Sequence, residues 1–261
     1  MGIDGTQKSS DWLRHAIMNF VHYGARDERA SNHTTFVVDQ LGRAIVAGEY
    51  RAGTMIPLDP DLCEMFGVSR TVVREAKKTL IAKGLIQSKA KVGTHVRAAD
   101  DWNMFDEDVL MWHAAQKNPT QFYEELFEIR IIFEPAAAAK AAKLANVVDS
   151  ARLTQLCDDM EHAADRAAFA VADYEFHKQI LKLSQNRFLH SLGDMVQTAL
   201  YSLFMTEAND AFPQSKVEVS RKHRAIATAI ARGEAALAHA AMTEVISESF
   251  HRTRLRYATG P

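Results

Sequence analysis

From Gln121 to about residue 256 the apolar residues keep a helical period, and nothing in that stretch alternates with the two-residue rhythm of a strand. Such a chain hides its apolar faces by packing helix on helix. Leu126, Ile129, Ile132 and Phe133 mark the first face. The spacing runs on through an alanine-rich stretch to Ala145, and Pro135 inside it predicts a kink or break. Further helices are expected near 149–166, 169–184, 187–209, 214–232 and 234–256, with Asn186 and Gly233 as stops. The expectation for 121–257 is an all-α bundle of six or seven helices.

The N-terminal part is ordered differently. Residues 1–32 are polar and irregular, except that Leu13, Ile17, Phe20 and Val21 can share one helical face, so an extra helix or arm is expected there. From Thr34, Val37, Val38, Leu41, Ile45 and Val46 recur at helical spacing, and Gly48 reads as a stop. "RAGTMIP" reads as a turn and a short extended piece, and "PDLCEMFG" as a short helix closed by Gly67. Ser69 is a good N-cap for a third helix, whose buried stripe is expected to be Val72, Val73, Ala76, Leu80 and Ile81, with Gly84 at its end. "LIQSKAKVGTHV" then reads as strand, turn, strand. Helix, helix, capped helix and β-ribbon over 33–98 make a winged helix-turn-helix. The whole is mainly α. Between the two parts, 99–120 reads as an acidic, aromatic linker entering a short helix on which Trp102, Phe105, Val109 and Trp112 recur.

Charge is unevenly spread. The chain carries 31 Lys or Arg against 33 Asp or Glu, yet Phe66–Arg97 holds eight Lys or Arg and one acid, Glu75. A capped helix turns its free N–H groups and positive dipole end toward phosphates. Arg70 and Thr71 stand in the first turn, Arg74 one turn on, and Lys77 and Lys78 beyond. A helix fits the major groove, where Arg reads guanine and Thr meets a base edge or methyl. The ribbon adds Lys89, Lys91 and His95 for a backbone or minor groove. The bland alternative is a solvated basic face, but cap, period, turn and wing agree independently. No apolar run is long enough to span a bilayer, and Asp11 and Arg14 interrupt the first apolar cluster, against a signal peptide. Cys63 and Cys157 are isolated, which suggests neither a disulfide framework nor a CxxC zinc site, so the cytoplasm is the expected compartment.

A second constellation lies in "DYEFHKQI". Asp173 and His177 are four residues apart, on the helical side that also carries Phe176 and Ile180. A carboxylate and an imidazole facing a core need a reason. A divalent metal held through oxygen and nitrogen is one, with His223 as the best third ligand. A plain Asp–His hydrogen bond or a surface pair is the other.

The segment "IPLDPDLCEMFGVSRTVVREAKKTLIAKGLIQSKAKVGTHV" resembles the DNA-binding domain of the GntR family of bacterial transcription regulators. The resemblance implies DNA contacts at Arg70, Thr71 and Arg74, and at Gly93 and His95 near the wing tip. Lys78 and Lys89 complete the expected set. One departure is plain: the family often has Ser-Glu-Arg where this chain has Leu58-Asp59-Pro60, so an arginine contact is missing. Residues 121–256, through "EIRIIFEPAAAAKAA", "DYEFHKQILKLSQN" and "HRAIATAIARGEAALAHAAM", resemble the FCD-type effector-binding and dimerisation domain of the FadR subfamily. That domain often binds a divalent metal (zinc, nickel or manganese are the expected ions) through an Asp and three His. Asp173, His177 and His223 match three of these, and Val245 stands at the fourth. Water or the effector could complete the site, or the three residues could bind the effector without metal.

The resemblance also makes Arg130 a pocket arginine, whose fork suits a carboxylate. The alternative is a structural pair with Glu134, one turn away. Asn186 matches a family Asn and reads as a cap or a pocket wall. "WNMFDEDVLMW", "RIIFEPAAA" and the missing last histidine narrow the likeness to sugar-acid regulators of that subfamily, which implies a small carboxylate effector, homodimers on double-stranded operator DNA, repression relieved by ligand, and no organic cofactor. No catalytic residue is expected. Three other readings stand beside this one: a sensor of acyl-CoA, a metal-dependent enzyme acting on sugar acids, and a structural nucleic-acid protein.

Overall fold

The computed structural model describes residues 33–89, 92–206 and 212–258. The expected N-terminal helix or arm over 1–32 lies outside the described residues, as does Lys91. The chain divides into two compact units, 1–103 and 104–261.

In the first unit, α1 (His33–Val46) buries Val37, Val38, Leu41 and Ile45. α2 (Asp59–Phe66) has Pro60 in its first turn, and the Asp61 carboxylate accepts from Leu58 N. It ends at Gly67, which is left-handed at φ 64°. Ser69 caps α3 (Arg70–Ala82), its hydroxyl accepting from Val72 N at 3.4 Å. Val73, Ala76 and Leu80 form the buried stripe. Two members of the expected stripe are placed differently: Val72 is only half-buried, and Ile81 is 40% exposed, because the inward face of so short a helix is three residues wide. Gly84 turns the chain at φ 81°, and a Cβ there would stand 2.5 Å from Asp101 O, so this turn requires glycine twice over. β1 (Ile86–Lys89) pairs antiparallel with β2 (Gly93–Val96), Ile86 opposite Val96 and Lys89 opposite Gly93. Met55 adds a single bridge to His95, so the extended piece before α2 joins the wing.

The second unit is helical among the described residues. α4 (Glu107–Ala114) is capped by Asp106 and buries Val109, Leu110 and Trp112. Trp102 and Phe105, expected on that helix, precede it, and Phe105 is 56% exposed. The Asp106 cap sets the start later than apolar spacing suggested. α5 (Thr120–Leu144) runs unbroken through Pro135. The proline forfeits one backbone hydrogen bond, but its ring is buried between packed neighbours, and that packing carries the helix past it. α6 (Val147–Glu161) starts at an Asn146–Asp149 capping box, and α7 (Arg166–Leu183) at Asp165, whose carboxylate accepts from Ala168 N. These caps set both helices two or three residues earlier than periodicity indicated. α8 (Arg187–Thr206), α9 (Phe212–Ala231) and α10 (Ala235–Ala258) follow. α5 is the hub, packing along α10 and touching α7 and α9. The contacts with α7 and α9 carry the chemistry described next. No helix of the described residues is long and apolar enough to cross a membrane.

Candidate functional site

The first site is a surface. Arg70, Thr71 and Arg74 are all exposed on α3, around the end that Ser69 caps. Lys78 is exposed and donates to Glu75 at 2.8 Å. Lys77, grouped with it by sequence, is turned inward: its ammonium is 2.8 Å from the Asp59 carboxylate on α2. Lys89 is exposed on β1, and Gly93, opposite it, opens β2 at φ 114°. His95 is half-buried, with Nδ1 enclosed and without a hydrogen-bond partner among the described residues.

The second site is interior and takes its residues from three helices. Asp173 and His177 project from α7, His223 from α9, and Arg130 and Glu134 from α5; all five are buried. Asp173, His177 and His223 each place one ligand atom within 4.8 Å of the others. The His223 Nε2 is 3.1 Å from Asp173 Oδ1 and 3.2 Å from His177 Nε2. What the ring nitrogens carry follows from their far sides. His177 Nδ1 is 2.6 Å from Glu134 Oε2, and His223 Nδ1 is 2.8 Å from the Val219 carbonyl. Both partners are acceptors, so each Nδ1 is placed to donate to them; the Nε2 atoms then face each other and Asp173, where either a proton on His223 Nε2 or a cation between the three groups satisfies the cluster. Phe176 walls the set, edge-on to both imidazoles.

Glu134 was not singled out as a site residue by sequence, except as a partner for Arg130. Its carboxylate joins both halves of the site: Arg130 Nε donates at 2.5 Å to one oxygen, and His177 Nδ1 to the other. Burial alone would raise its pKa, but the Arg130 guanidinium and His177 outweigh burial and hold it down at about 2. Asp173 behaves alike: burial pushes up, and hydrogen bonding with His223 plus the charges of His223, His177 and Arg130 bring it to about 2. Both carboxylates are therefore anions. Arg130 makes the structural pair, and its Nη1 remains buried without an acceptor among the described residues. The Asn186 side-chain oxygen accepts from Phe188 N and Leu189 N, so Asn186 caps α8. Val245 is buried in α10.

Residues 33–96 match the family described as bacterial regulatory proteins, gntR family, and residues 125–248 match the FCD domain. The HTH-type transcriptional regulator YieP of Escherichia coli K12 is 31% identical over 214 residues, covering 80% of this chain and 91% of that protein. The galactonate operon transcriptional repressor of the same organism is 32% identical over 229 residues, covering 85% of this chain and 97% of that protein. The chain belongs to the gntR family of bacterial regulatory proteins. Among solved structures, Lar, which controls the agr system of Listeria monocytogenes, superposes with a TM-score of 0.57 at 21% identity, covering 88% of this chain and 99% of that one, a likeness of fold. This gntR-family chain is a transcription regulator with an FCD domain, not an enzyme. The winged first unit and the helical second unit agree with that assignment.

Proposed function

We propose that this gntR-family regulator is a cytoplasmic homodimer that represses genes of sugar-acid catabolism and leaves its operator when a sugar acid binds in the helical unit. The observation that carries the reading is Nη1 of Arg130, a buried cationic donor without an acceptor among the described residues, in a network that also holds three inward ligand atoms. A carboxylate satisfies the donor, and hydroxyls suit the polar surroundings. The galactonate repressor among the relatives supports the same class.

A divalent metal fits the donor set. Two imidazole lone pairs and a carboxylate oxygen repel one another unless a cation lies between them. Donors about 2.1 Å from one ion stand about 3.0 Å apart in an octahedron and about 3.4 Å in a tetrahedron. The distances of 3.1 and 3.2 Å fall in that interval. Asp173, His177 and His223 would hold such an ion, zinc, nickel or manganese by their chemistry. Bound there, it supplies positive charge to an anionic effector. The competing occupant is a proton on His223 Nε2, which would make an imidazolium between Asp173 and His177.

The test titrates a duplex, selected from a random pool by the protein, with galactonate, gluconate and galactarate, using metal-loaded and chelated protein. At least one acid is expected to weaken DNA binding, and chelation is expected to blunt its effect. In Arg130→Lys the charge opposite Glu134 is kept and the fork is lost, so DNA binding is expected to survive and the acid's effect to fall about tenfold or more. If Arg130→Lys responds as wild type does, Arg130 is only structural. A regulator indifferent to every sugar acid ends the effector reading.

On the DNA side, Arg70→Ala and Arg74→Ala are each expected to weaken binding to the selected duplex by about 1–3 kcal/mol. Electrophoretic mobility shift at fixed salt measures it, and unchanged affinity in both variants removes α3 from the groove.

A further inference from the structure

We infer that Asp59 is a specificity-determining residue of the DNA interface, positioning Arg74 to read a base and keeping that arginine off the phosphates. The inference rests on the reading of α3 as the recognition helix and goes beyond it. The Asp59 carboxylate at the start of α2 faces α3. Its Oδ1 accepts from Lys77 Nζ at 2.8 Å, and its Oδ2 stands 3.8 Å from Arg74 Nε. Lys77 is 17% exposed and its charge is spent on this contact. Arg74 is 70% exposed, so it is steered by the acid without being withdrawn from the surface. An acid at Nε leaves the two terminal nitrogens as the available donors, and that pair matches O6 and N7 of guanine.

The family often has an acid at this place as well, and what sets this chain apart is the residue that follows it. Pro60 stands where the family often has an arginine and brings no charge. The cations that Asp59 reaches are those of α3. A carboxylate at this place repels any phosphate that approaches Arg74, and that penalty is the same for every DNA sequence. It does not fall on an uncharged guanine edge. Asp59 therefore lowers affinity for DNA in general and widens the gap between right and wrong base, which is discrimination by penalty.

The experiment selects binding sites from a pool of duplexes randomised over about two helical turns, using the full chain as wild type, Arg74→Ala, Asp59→Asn, Asp59→Glu and Lys77→Gln. Arg74→Ala is expected to lose the preference at one position of each half-site. Asp59→Asn is expected to relax that same position by about tenfold, while binding to the unselected pool tightens and its salt dependence steepens. Asp59→Glu keeps the charge and is expected to keep the preference. Lys77→Gln breaks the α2–α3 contact without touching Arg74 and is also expected to keep it; it serves, with thermal melts of all variants, as the comparison for a purely structural loss. Unchanged base preference in Asp59→Asn, or equal relaxation in Lys77→Gln, overturns the inference and leaves Asp59 as a helix tie. If Asp59→Asn does not fold, the comparison of Asp59→Glu with Lys77→Gln decides: relaxation in the second overturns the inference, and retention in both supports it. An unaltered motif in Arg74→Ala brings down the recognition-helix reading itself, which is a separate result.

Discussion

Glu134→Ala is expected to destabilise the helical unit by about 3–5 kcal/mol, the cost of leaving one member of a buried ion pair alone. Arg130 is 2% exposed and Glu134 1%, so the stranded guanidinium has no water to turn to. Arg130 Nε and Nη2 lose their acceptors together, beside an Nη1 that already has none among the described residues. His177 loses the carboxylate that fixes its Nδ1 proton, and its Nε2 is then no longer held as a lone pair. The same variant is therefore expected to bind divalent ions about 10–100-fold more weakly. Urea unfolding followed by helical circular dichroism gives the first quantity, and equilibrium dialysis gives the second. A stability loss below about 1 kcal/mol, the range of an exposed pair, would show that Arg130 finds another acceptor and that Glu134 is no junction.

His177→Ala and His223→Ala are each expected to lower affinity for zinc, nickel or manganese more than about 100-fold, beyond what loss of a supporting carboxylate does. Each removes one of three ligand atoms, and three is already the smallest protein set that holds a catalytic or sensing ion with an open position. Val245→His, at the position where the resembling domains carry a fourth histidine, is expected to tighten binding and to close that position. Metal analysis of purified protein after incubation with each ion, followed by exhaustive dialysis, reads all three. Wild type that retains no ion hands the cluster to the proton, and Asp173, His177 and His223 then act on the effector directly.

Signals that are local in the chain were legible in its letters, and signals made by distant contacts were not. Ser69 and Gly67 announce themselves because a cap or a left-handed turn is decided within a few residues. Asp173 and His177 could be placed on one core-facing side from spacing alone, with His223 as the best third ligand, and resemblance then matched all three to a metal set. Asn146 and Asp165 were equally local, yet apolar periodicity outranked them in setting the helix starts and placed both late. Pro135 does not break α5, because the helix is packed on several sides and that packing offsets the lost hydrogen bond. Glu134 was hidden for another reason. Its hydrogen bond to His177 spans 43 positions, and no pattern in either segment records it. For Arg130, sequence offered a structural pair or an anion site, and the geometry lets one side chain do the first while keeping a donor for the second. Asp59 drew no notice beside the arginine contact missing at Pro60, and became a partner of α3 only once α2 was folded against it.

His177 and His223 face each other across 46 positions of chain, with all of α8 between them. In the unfolded polymer these atoms share no neighbourhood, so an ion that finds all of them together finds a finished bundle. Binding then draws the population toward the completed fold by mass action. During synthesis the donor set is not complete until α9 has left the ribosome, and a product truncated within α8 keeps Asp173 and His177 but lacks the third donor. The same geometry that spreads the site over distant segments makes its occupancy a sign that the chain has been made and folded through α9.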